Sequence, residues 1–497
     1  MDTLTALLAG FSTSLSPANL VAAFIGAGLG IVIGAMPGLG SVTGVALLLP
    51  LTFGMDPTTA IIMLGALYYG CMFGGAYSAI LLNIPGDAPA VMTAMDGYPM
   101  SQRGAGGKAL FAANISSFIG GTIGIIILTF MGPILAEIGL MFGPPETAAL
   151  ILLALCSIGW LLGENAVKGL MATFLGVLLA TIGIGVTFGQ PRFTMDSIYL
   201  LNGVSFIPLV IGMFGFSQLL DMMTFRKSGG AGVSAVSIRD SLPAFSEIRR
   251  LVPIGVRSGA VGTFVGILPG AGATTGAFLA YILEKKVGGN GAAMGSGAVE
   301  GVAASEAGNN GAAAGSFAPL LSLGIPGSGT SAVLLGGLMM WGLQPGPLLF
   351  QTRPDFVWGL ISSMYIGNLM AVLAAMAIIP FLMQLLRVPT ALMIPVITVV
   401  CVVGAYSVSS SMFDVWLMIG AGVAAHLMKI AGYPVAPLIL AFVLTPRLES
   451  SIRQSFDISN GDPFIFVSSP ISVTLITVML AIIAFGLLQI SRSRNRI

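Results

Sequence analysis

The chain has 497 residues, 56% of them hydrophobic and 8% charged, with a mean hydropathy of +0.98 and a formal net charge of +1. A soluble domain is about one quarter charged, so this composition excludes one and describes a polytopic membrane protein; the near-neutral balance also gives nucleic acid no electrostatic footing. Cys71, Cys156 and Cys401 are isolated and His426 is the only histidine, so disulfide frameworks and zinc, haem or iron–sulfur centres lack ligands.

The first residues, MDTLTALLAGFSTSL, carry no basic n-region, and no cleaved signal peptide is expected. The first predicted element, 18–54, is a long apolar run cut by Pro37-Gly38-Leu39-Gly40. One straight helix of that length overshoots a hydrocarbon core of roughly 30 Å, so a helix–break–helix hairpin is predicted. Spans follow at 58–83, 108–134, 146–163, 166–188 and 198–222, the first of them ending at a second break, Ile84-Pro85-Gly86-Asp87. A polar linker, 225–250, separates this half from the next.

The second half repeats the opening. Residues 30–44, GIVIGAMPGLGSVTG, align with 262–276, GTFVGILPGAGATTG, at an offset of 232. Ile84-Pro85-Gly86 aligns with Ile325-Pro326-Gly327 at an offset of 241. A second hairpin is therefore predicted over 251–284, followed by apolar stretches at 290–324, 355–380, 390–408, 411–430, 433–446 and 468–490. Glycine, at 68 residues, is about twice its usual share and suits close helix packing in lipid.

Orientation is read from Lys and Arg. Arg226, Lys227, Arg239, Arg249 and Arg250 place the central linker in the cytoplasm, and Arg492, Arg494 and Arg496 place the tail there. The turn after the first hairpin, Gly54-Met55-Asp56, is acidic, whereas Glu284-Lys285-Lys286 is basic. Opposite bias at equivalent turns favours inverted over parallel repeats. The expected fold is an all-α membrane protein with two inverted repeats of about five spans each. Residues 1–224 form the first repeat (hairpin 18–54, break at 84–87) and 225–250 the cytoplasmic linker. Residues 251–465 form the second (hairpin 251–284, break at 325–328), and 466–497 an extra span with a basic cytoplasmic tail.

Pro lacks an amide hydrogen and Gly permits positive φ, so each break leaves carbonyls unpaired before it and N–H groups exposed after it. Helix N-termini favour carboxylates and free carbonyls favour small cations. The glycines Gly38, Gly40, Gly270 and Gly272 form the breaks. The hydroxyls behind them, Ser41, Thr43, Thr274, Thr275, Ser328, Thr330 and Ser331, complete a candidate carboxylate site. Asn83, Glu306, Asn309 and Asn310 are the candidate ligands of a coupling ion such as Na⁺, because ionisable and amide groups within spans are expensive and mark function. A plain Pro kink, and a solvated helix start for Glu300–Asn310, are the bland readings. Asp87 is expected to cap the half-helix that follows it. Arg257 is expected to snorkel, Lys168 to pair with Glu164, and His426 to sit at a helix end.

The segments GAMPGLGSVTGVALLLPLTFGMDP, YYGCMFGGAYSAILLNIPGDAPAVMTAMDGYPM, PGAGATTGAFLAYILEKK and EGVAASEAGNNGAAAGSFAPLLSLGIPGSGTSAVLLGGLMMWGLQPGP resemble the large membrane subunit of tripartite tricarboxylate transporters. The resemblance covers nearly the whole chain and is densest at 26–110 and 255–370. It implies a bacterial inner-membrane secondary transporter that imports citrate-like di- and tricarboxylates, or aromatic acids, by Na⁺ or H⁺ symport. The implied partners are a small four-span membrane subunit and a periplasmic solute-binding protein. The chain has no G-x-x-x-x-G-K-[ST] motif, which argues against ATP-driven pumping by this subunit. An intramembrane enzyme lacks a nucleophile–base pair or metal ligands. A channel or a scaffolding subunit accounts poorly for two buried polar breaks.

Overall fold

A computed structural model describes residues 2–36, 38–161, 166–185, 189–224, 245–381 and 390–494. Pro37, Glu164, most of the linker (225–244) and Arg496 lie outside the described residues, as do the side chains of Arg492 and Arg494. Among the described residues, seven helices are long and apolar enough to cross a membrane: Pro17–Ala35, Pro57–Leu82, Gly106–Leu140, Phe206–Thr224, Pro354–Ile378, Leu392–Ser409 and Met412–Ile430. The protein is an all-α polytopic membrane protein, with one pair of two-residue strands, Gly183–Ile184 and Pro191–Arg192, as its only described sheet.

Several span boundaries differ from expectation. The stretch expected over 166–188 stops as a helix at Ala180, where Gly183 adopts φ 122° and the strand pair begins. The stretch expected over 198–222 becomes an α-helix only at Phe206 and passes through a π-helical segment, Ile211–Phe216. The stretch expected over 290–324 starts at Val299 and divides at Ser316.

In the first half, α1 (Thr3–Ser14) precedes α2 (Pro17–Ala35), which stops at the break and resumes as α3 (Ser41–Leu48). Then come α4 (Pro57–Leu82), α5 (Ala90–Gln102), α6 (Gly106–Leu140), α7 (Pro144–Leu161), α8 (Ala166–Ala180), α9 (Phe206–Val210) and α10 (Ser217–Thr224). The second half opens with α11 (Phe245–Ile267), α12 (Gly272–Val287), α13 (Val299–Gly315), α14 (Phe317–Leu323), α15 (Gly329–Met340), α16 (Leu349–Thr352) and α17 (Pro354–Ile378). It closes with α18 (Thr390–Ser409), α19 (Met412–Ile430), α20 (Ala436–Ile458) and α21 (Pro470–Arg494).

Small residues let the paired helices touch backbone to backbone. A Cβ on Gly30 or Gly34 would lie 2.2–2.3 Å from the carbonyl oxygens of Leu67 and Cys71. In the second half, a Cβ on Gly262 or Gly266 would lie 2.0–2.2 Å from those of Gly308 and Ala312. The reverse contacts also match: Gly70 and Gly74 meet Ala27 and Ile31, as Gly311 and Gly315 meet Gly259 and Thr263. Every one of these pairs obeys the two sequence offsets, 232 and 241.

The same contacts give helix direction. Residue numbers rise together along α2 and α4 and along α11 and α13, so each pair is parallel. A parallel partner after one intervening helix requires that helix to turn back. Gly276 of α12 lies against Ala312, its Ala280 against Gly308, and Glu284 at its end pairs with Arg257 in the middle of α11. At the first hairpin, Thr59 Oγ1 at the start of α4 donates to Asn19 Oδ1 at the start of α2, at 2.6 Å. Both hairpins therefore fold back on themselves, with Gly34 against Cys71 of α4 and Gly266 against Ala312 of α13, so that each break lies towards the C-terminal end of its partner helix.

The two long helices cross between halves. From the first half, α6 runs parallel to α13, with Gly120 at Ala307 and Gly124 at Gly311; from the second, α17 runs parallel to α4, with Gly367 at Ala66 and Ala375 at Tyr77. Because α6 is antiparallel to α4 (Asn114 at Tyr77, Gly106 at Leu81), α2, α4 and α17 point one way. Their counterparts α11, α13 and α6 point the other.

Candidate functional site

Each Pro-Gly break is wedged into its own hairpin. Gly86 packs so closely on Gly34 that a Cβ would lie 1.9 Å from its carbonyl oxygen, and Gly75 lies behind it. Gly327 packs on Gly266 in the same way, with Ser316 behind it. These contacts hold the break between α4 and α5 at the tip of the first hairpin, and the break between α14 and α15 at the tip of the second.

The tips are hydroxyl-rich and meet across the halves. Ser41 Oγ lies 2.9 Å from Thr330 Oγ1, and both residues are buried. Ser328 caps α15: its Oγ accepts the Ser331 N–H at 3.1 Å, while Ser331 Oγ accepts the Ser328 N–H at 2.8 Å. Tyr68, on α4, places its hydroxyl 3.2 Å from Ser328 Oγ. The N-terminus of α3 has no side-chain cap from Gly40. The Ser41 N–H instead donates to Asp87 Oδ2 at 2.9 Å, and Asp87 Oδ1 accepts the neighbouring Ala88 N–H at 2.8 Å. Asp87 therefore caps the hairpin helix across the break as well as its own turn. In the second hairpin the N–H of Gly272, which aligns with Gly40, donates at 3.1 Å to a backbone carbonyl, that of Gly327.

Among the expected carboxylate ligands the structure thus groups Gly40, Ser41, Ser328, Thr330 and Ser331, with Gly272 beside Ser328. Others stand apart. Thr43 is buried, but its hydroxyl lies 3.5 Å from the carbonyl of Phe214, in the π-helical segment. Thr274 is exposed and Thr275 half-buried on α12. Gly38 (φ 90°) is exposed and faces the Gln218 side chain, and Gly270 (φ 78°) is buried; both serve the turn through backbone conformation.

A second polar group lies within α13, whose residues Glu300–Gly315 are all buried, so this helix start is not solvated. The Glu306 carboxylate receives Thr93 Oγ1 from α5 at one oxygen and Ser117 Oγ from α6 at the other, the latter at 3.0 Å. Asn310 Nδ2 donates to the Glu306 carbonyl at 3.0 Å. The amide oxygens of Asn309 and Asn310 are buried without a partner. Among the described residues no ion pair involves Glu306 or Asp87. Asn83 does not join this group: it is the exposed C-cap of α4, in the left-handed conformation at φ 55°. Glu300 pairs with Arg250 and accepts from Asn290, beside a cavity of about 360 Å³ that Lys108 and Glu247 also line.

The model of the tripartite tricarboxylate transporter TctA family matches residues 20–440, which includes both breaks and all but the first residues of the first hairpin. The chain belongs to this family. It is similar to an uncharacterized 52.8 kDa protein in the TAR-I ttuC' 3' region of Agrobacterium vitis, at 38% identity over 495 residues, covering 100% of this chain and 98% of the relative. It is also similar, at 38% identity over 234 residues, to an uncharacterized protein in the TAR-II ttuC' 3' region of the same organism, covering 47% of this chain and 97% of that one. No solved structure matches. As a TctA-family member the protein is a membrane subunit of a tripartite transporter, not a member of an enzyme family.

Tyr68, Thr93, Ser117 and the crossing role of Asp87 were not legible in the sequence. Tyr68, Thr93 and Ser117 sit in apolar or small-residue stretches with no motif of their own. Arg257, expected to snorkel, pairs with Glu284 at 2.9 Å. His426 lies at its helix end, with Nδ1 2.5 Å from Asp221, which Lys429 also contacts at 2.8 Å. Lys168 donates to the Ala431 carbonyl at 2.6 Å.

Proposed function

We propose that the protein is the substrate-translocating subunit of a secondary carrier that imports di- or tricarboxylates of the citrate type by Na⁺ or H⁺ symport. The substrate binds where the two hairpin tips meet. The observation that carries this reading is the Ser41–Thr330 hydroxyl pair, which joins the N-terminal turns of two half-helices from opposite halves of the chain at a buried point. Neutral hydroxyls and N–H groups bind a carboxylate without leaving a costly unpaired cation in the empty carrier. The coupling ion binds at Glu306 with the free amide oxygens of Asn309 and Asn310, where a buried carboxylate has only neutral donors.

The opposed helix directions and the two offsets support two inverted repeats, with 225–250 as a cytoplasmic linker and α21 as an added span. In this reading the protein lies in a bacterial inner membrane with its C-terminus in the cytoplasm. It works with a small four-span subunit and receives substrate from a periplasmic binding protein. Movement of the hairpin-bearing elements against the remaining helices alternates access.

The test is uptake of labelled citrate and succinate into proteoliposomes holding the chain and both partners. Saturable uptake that needs the binding protein and is driven by a Na⁺ or pH gradient is expected. Uptake that ignores both gradients, or that does not saturate, would defeat the symport carrier.

A further inference from the structure

Superposing the roles of the two repeats isolates one residue that breaks their correspondence. Position 87 of the first repeat matches position 328 of the second at the 241 offset, and there the residues are Asp and Ser. Ser328 turns inward and caps its own helix through Ser331. Asp87 reaches across the break and takes the Ser41 N–H. In the second repeat Ala273 stands where the first has Ser41, and the N–H one residue before it, on Gly272, is taken by the neutral Gly327 carbonyl. So one tip is closed by a backbone dipole and the other by an ionisable carboxylate.

That carboxylate occupies the place that the carrier reading gives to the substrate. It lies against Gly40 closely enough that a Cβ there would come within 2.7 Å of Oδ1, and it adjoins Gly75 on α4. Ser41, whose N–H it holds, also carries the hydroxyl paired with Thr330. Tyr68 and Cys71 are the other titratable groups nearby, both buried on α4. No Lys, Arg or His forms an ion pair with Asp87 among the described residues.

We propose that Asp87 is an internal stand-in for the substrate carboxylate, and that substrate and Asp87 exchange on the Ser41 N–H. This rests on the carboxylate-carrier reading above and adds to the ion site at Glu306 a second cation-linked step, at Asp87. Two carboxylates cannot share one N–H at contact distance without strong repulsion. The arriving carboxylate therefore enters only as Asp87 leaves, and the freed Asp87 needs a positive charge. A proton or Na⁺ supplies it, so charge balances at one cation taken up for one carboxylate exchanged. With Asp87 ionised and in place, the empty tip rejects anions. With Asp87 neutralised, the tip accepts them. Cation and substrate then enter together without any fixed cationic residue in the site.

Two measurements on the full-length chain in nanodiscs test this. The first needs no substrate: hydrogen–deuterium exchange of the Met36–Val45 segment, with Na⁺ against choline at fixed pD, and across pD after correction for intrinsic rates. In the wild type, Na⁺ or low pD raises exchange at the tip at least threefold. In Asp87→Asn, and in Asp87→Ser, which copies the second repeat, exchange is fast and indifferent to both. The response to Na⁺ against the response to pD distinguishes the two cations. Equal, cation-independent protection in wild type and variants would overturn the exchange. The second is binding of labelled citrate and succinate. Wild-type affinity rises about tenfold or more with the cation, whereas Asp87→Asn binds with an affinity that no longer responds. Variants that keep the wild-type cation dependence would overturn the proposal. Should neither acid bind the wild type while the tip still responds to cation, the substrate class is wrong and the Asp87 device stands.

Discussion

The hydroxyls of Ser41 and Thr330 lie 2.9 Å apart although 289 residues separate them in the chain. Both residues are buried, so neither hydroxyl has bulk water as an alternative partner. Removing one leaves the other unsatisfied, at a cost of about 1–3 kcal/mol. If the pair contributes to substrate binding, Thr330→Val raises the KM of carboxylate uptake by about tenfold, since 1.4 kcal/mol corresponds to that factor. Thr330→Ser, which keeps the hydroxyl, stays close to wild type. Unchanged KM in both Thr330→Val and Ser41→Ala, at normal expression, removes these residues from the site.

Glu306 is the second point of test. Its carboxylate is fully buried and held by Thr93 and Ser117, neutral donors from two other helices. Glu306→Gln preserves shape and much of the hydrogen bonding while deleting the ionisable group. The expected outcome is loss of uphill accumulation with retention of carboxylate exchange across the membrane, measured by counterflow in proteoliposomes. Full gradient-driven accumulation by Glu306→Gln would take this residue out of coupling.

The glycine contacts predict a sharp contrast in stability. Gly86→Ala places a methyl group 1.9 Å from the Gly34 carbonyl oxygen, where only backbone movement can relieve the clash. Overpacking of this kind costs about 1–3 kcal/mol or more, so a lowered melting temperature in detergent and poor expression are expected. Gly28→Ala, on α2 of the first hairpin, meets nothing within 4 Å. It gains up to about 1 kcal/mol of helix propensity. Equal melting temperatures for the two variants would contradict the packing described.

Asp96 offers a test outside the transport chemistry. Fully buried, it accepts the N–H groups of Gly295, Gly297 and Ala298 at 2.7–2.8 Å and the Tyr281 hydroxyl at 2.8 Å. Hydrogen bonds to a charged group contribute about 1.5–3 kcal/mol each, so this carboxylate latches the connection between α12 and α13 to α5. Asp96→Ala is expected to release it, seen as faster proteolysis within 288–298 and a lower melting temperature. Resistance equal to wild type would show the latch to be dispensable.

The Arg192–Glu449 pair, at 2.8 Å with Arg453 also on Glu449, ties the short strand pair to α20. Glu449 has no sequence neighbour that forecasts Arg192, 257 residues away. The sequence located both breaks and both hairpins because Pro and Gly act locally: they remove a donor or permit a turn wherever they occur. It also carried the family, since long strings such as those around Gly34–Pro57 and Glu300–Pro347 survive as linear text. It left the start of α13 open to two readings, because a polar, small-residue stretch looks the same at a wet surface and in a glycine-packed core. It grouped Asn83 with Asn309 and Asn310 by residue type, whereas Asn83 is exposed at a helix end.

What the sequence alone determined is the class of molecule: a membrane protein with duplicated, hydroxyl-followed helix breaks. Only the tertiary structure decided which hydroxyls meet, that Asp87 closes the first tip, and that Glu306 is enclosed by α5 and α6. The physical reason is distance along the chain. A break is written into three or four adjacent residues, but a site shared by Ser41, Tyr68, Asp87 and Thr330 exists only once glycine-lined helices from both halves have packed backbone to backbone.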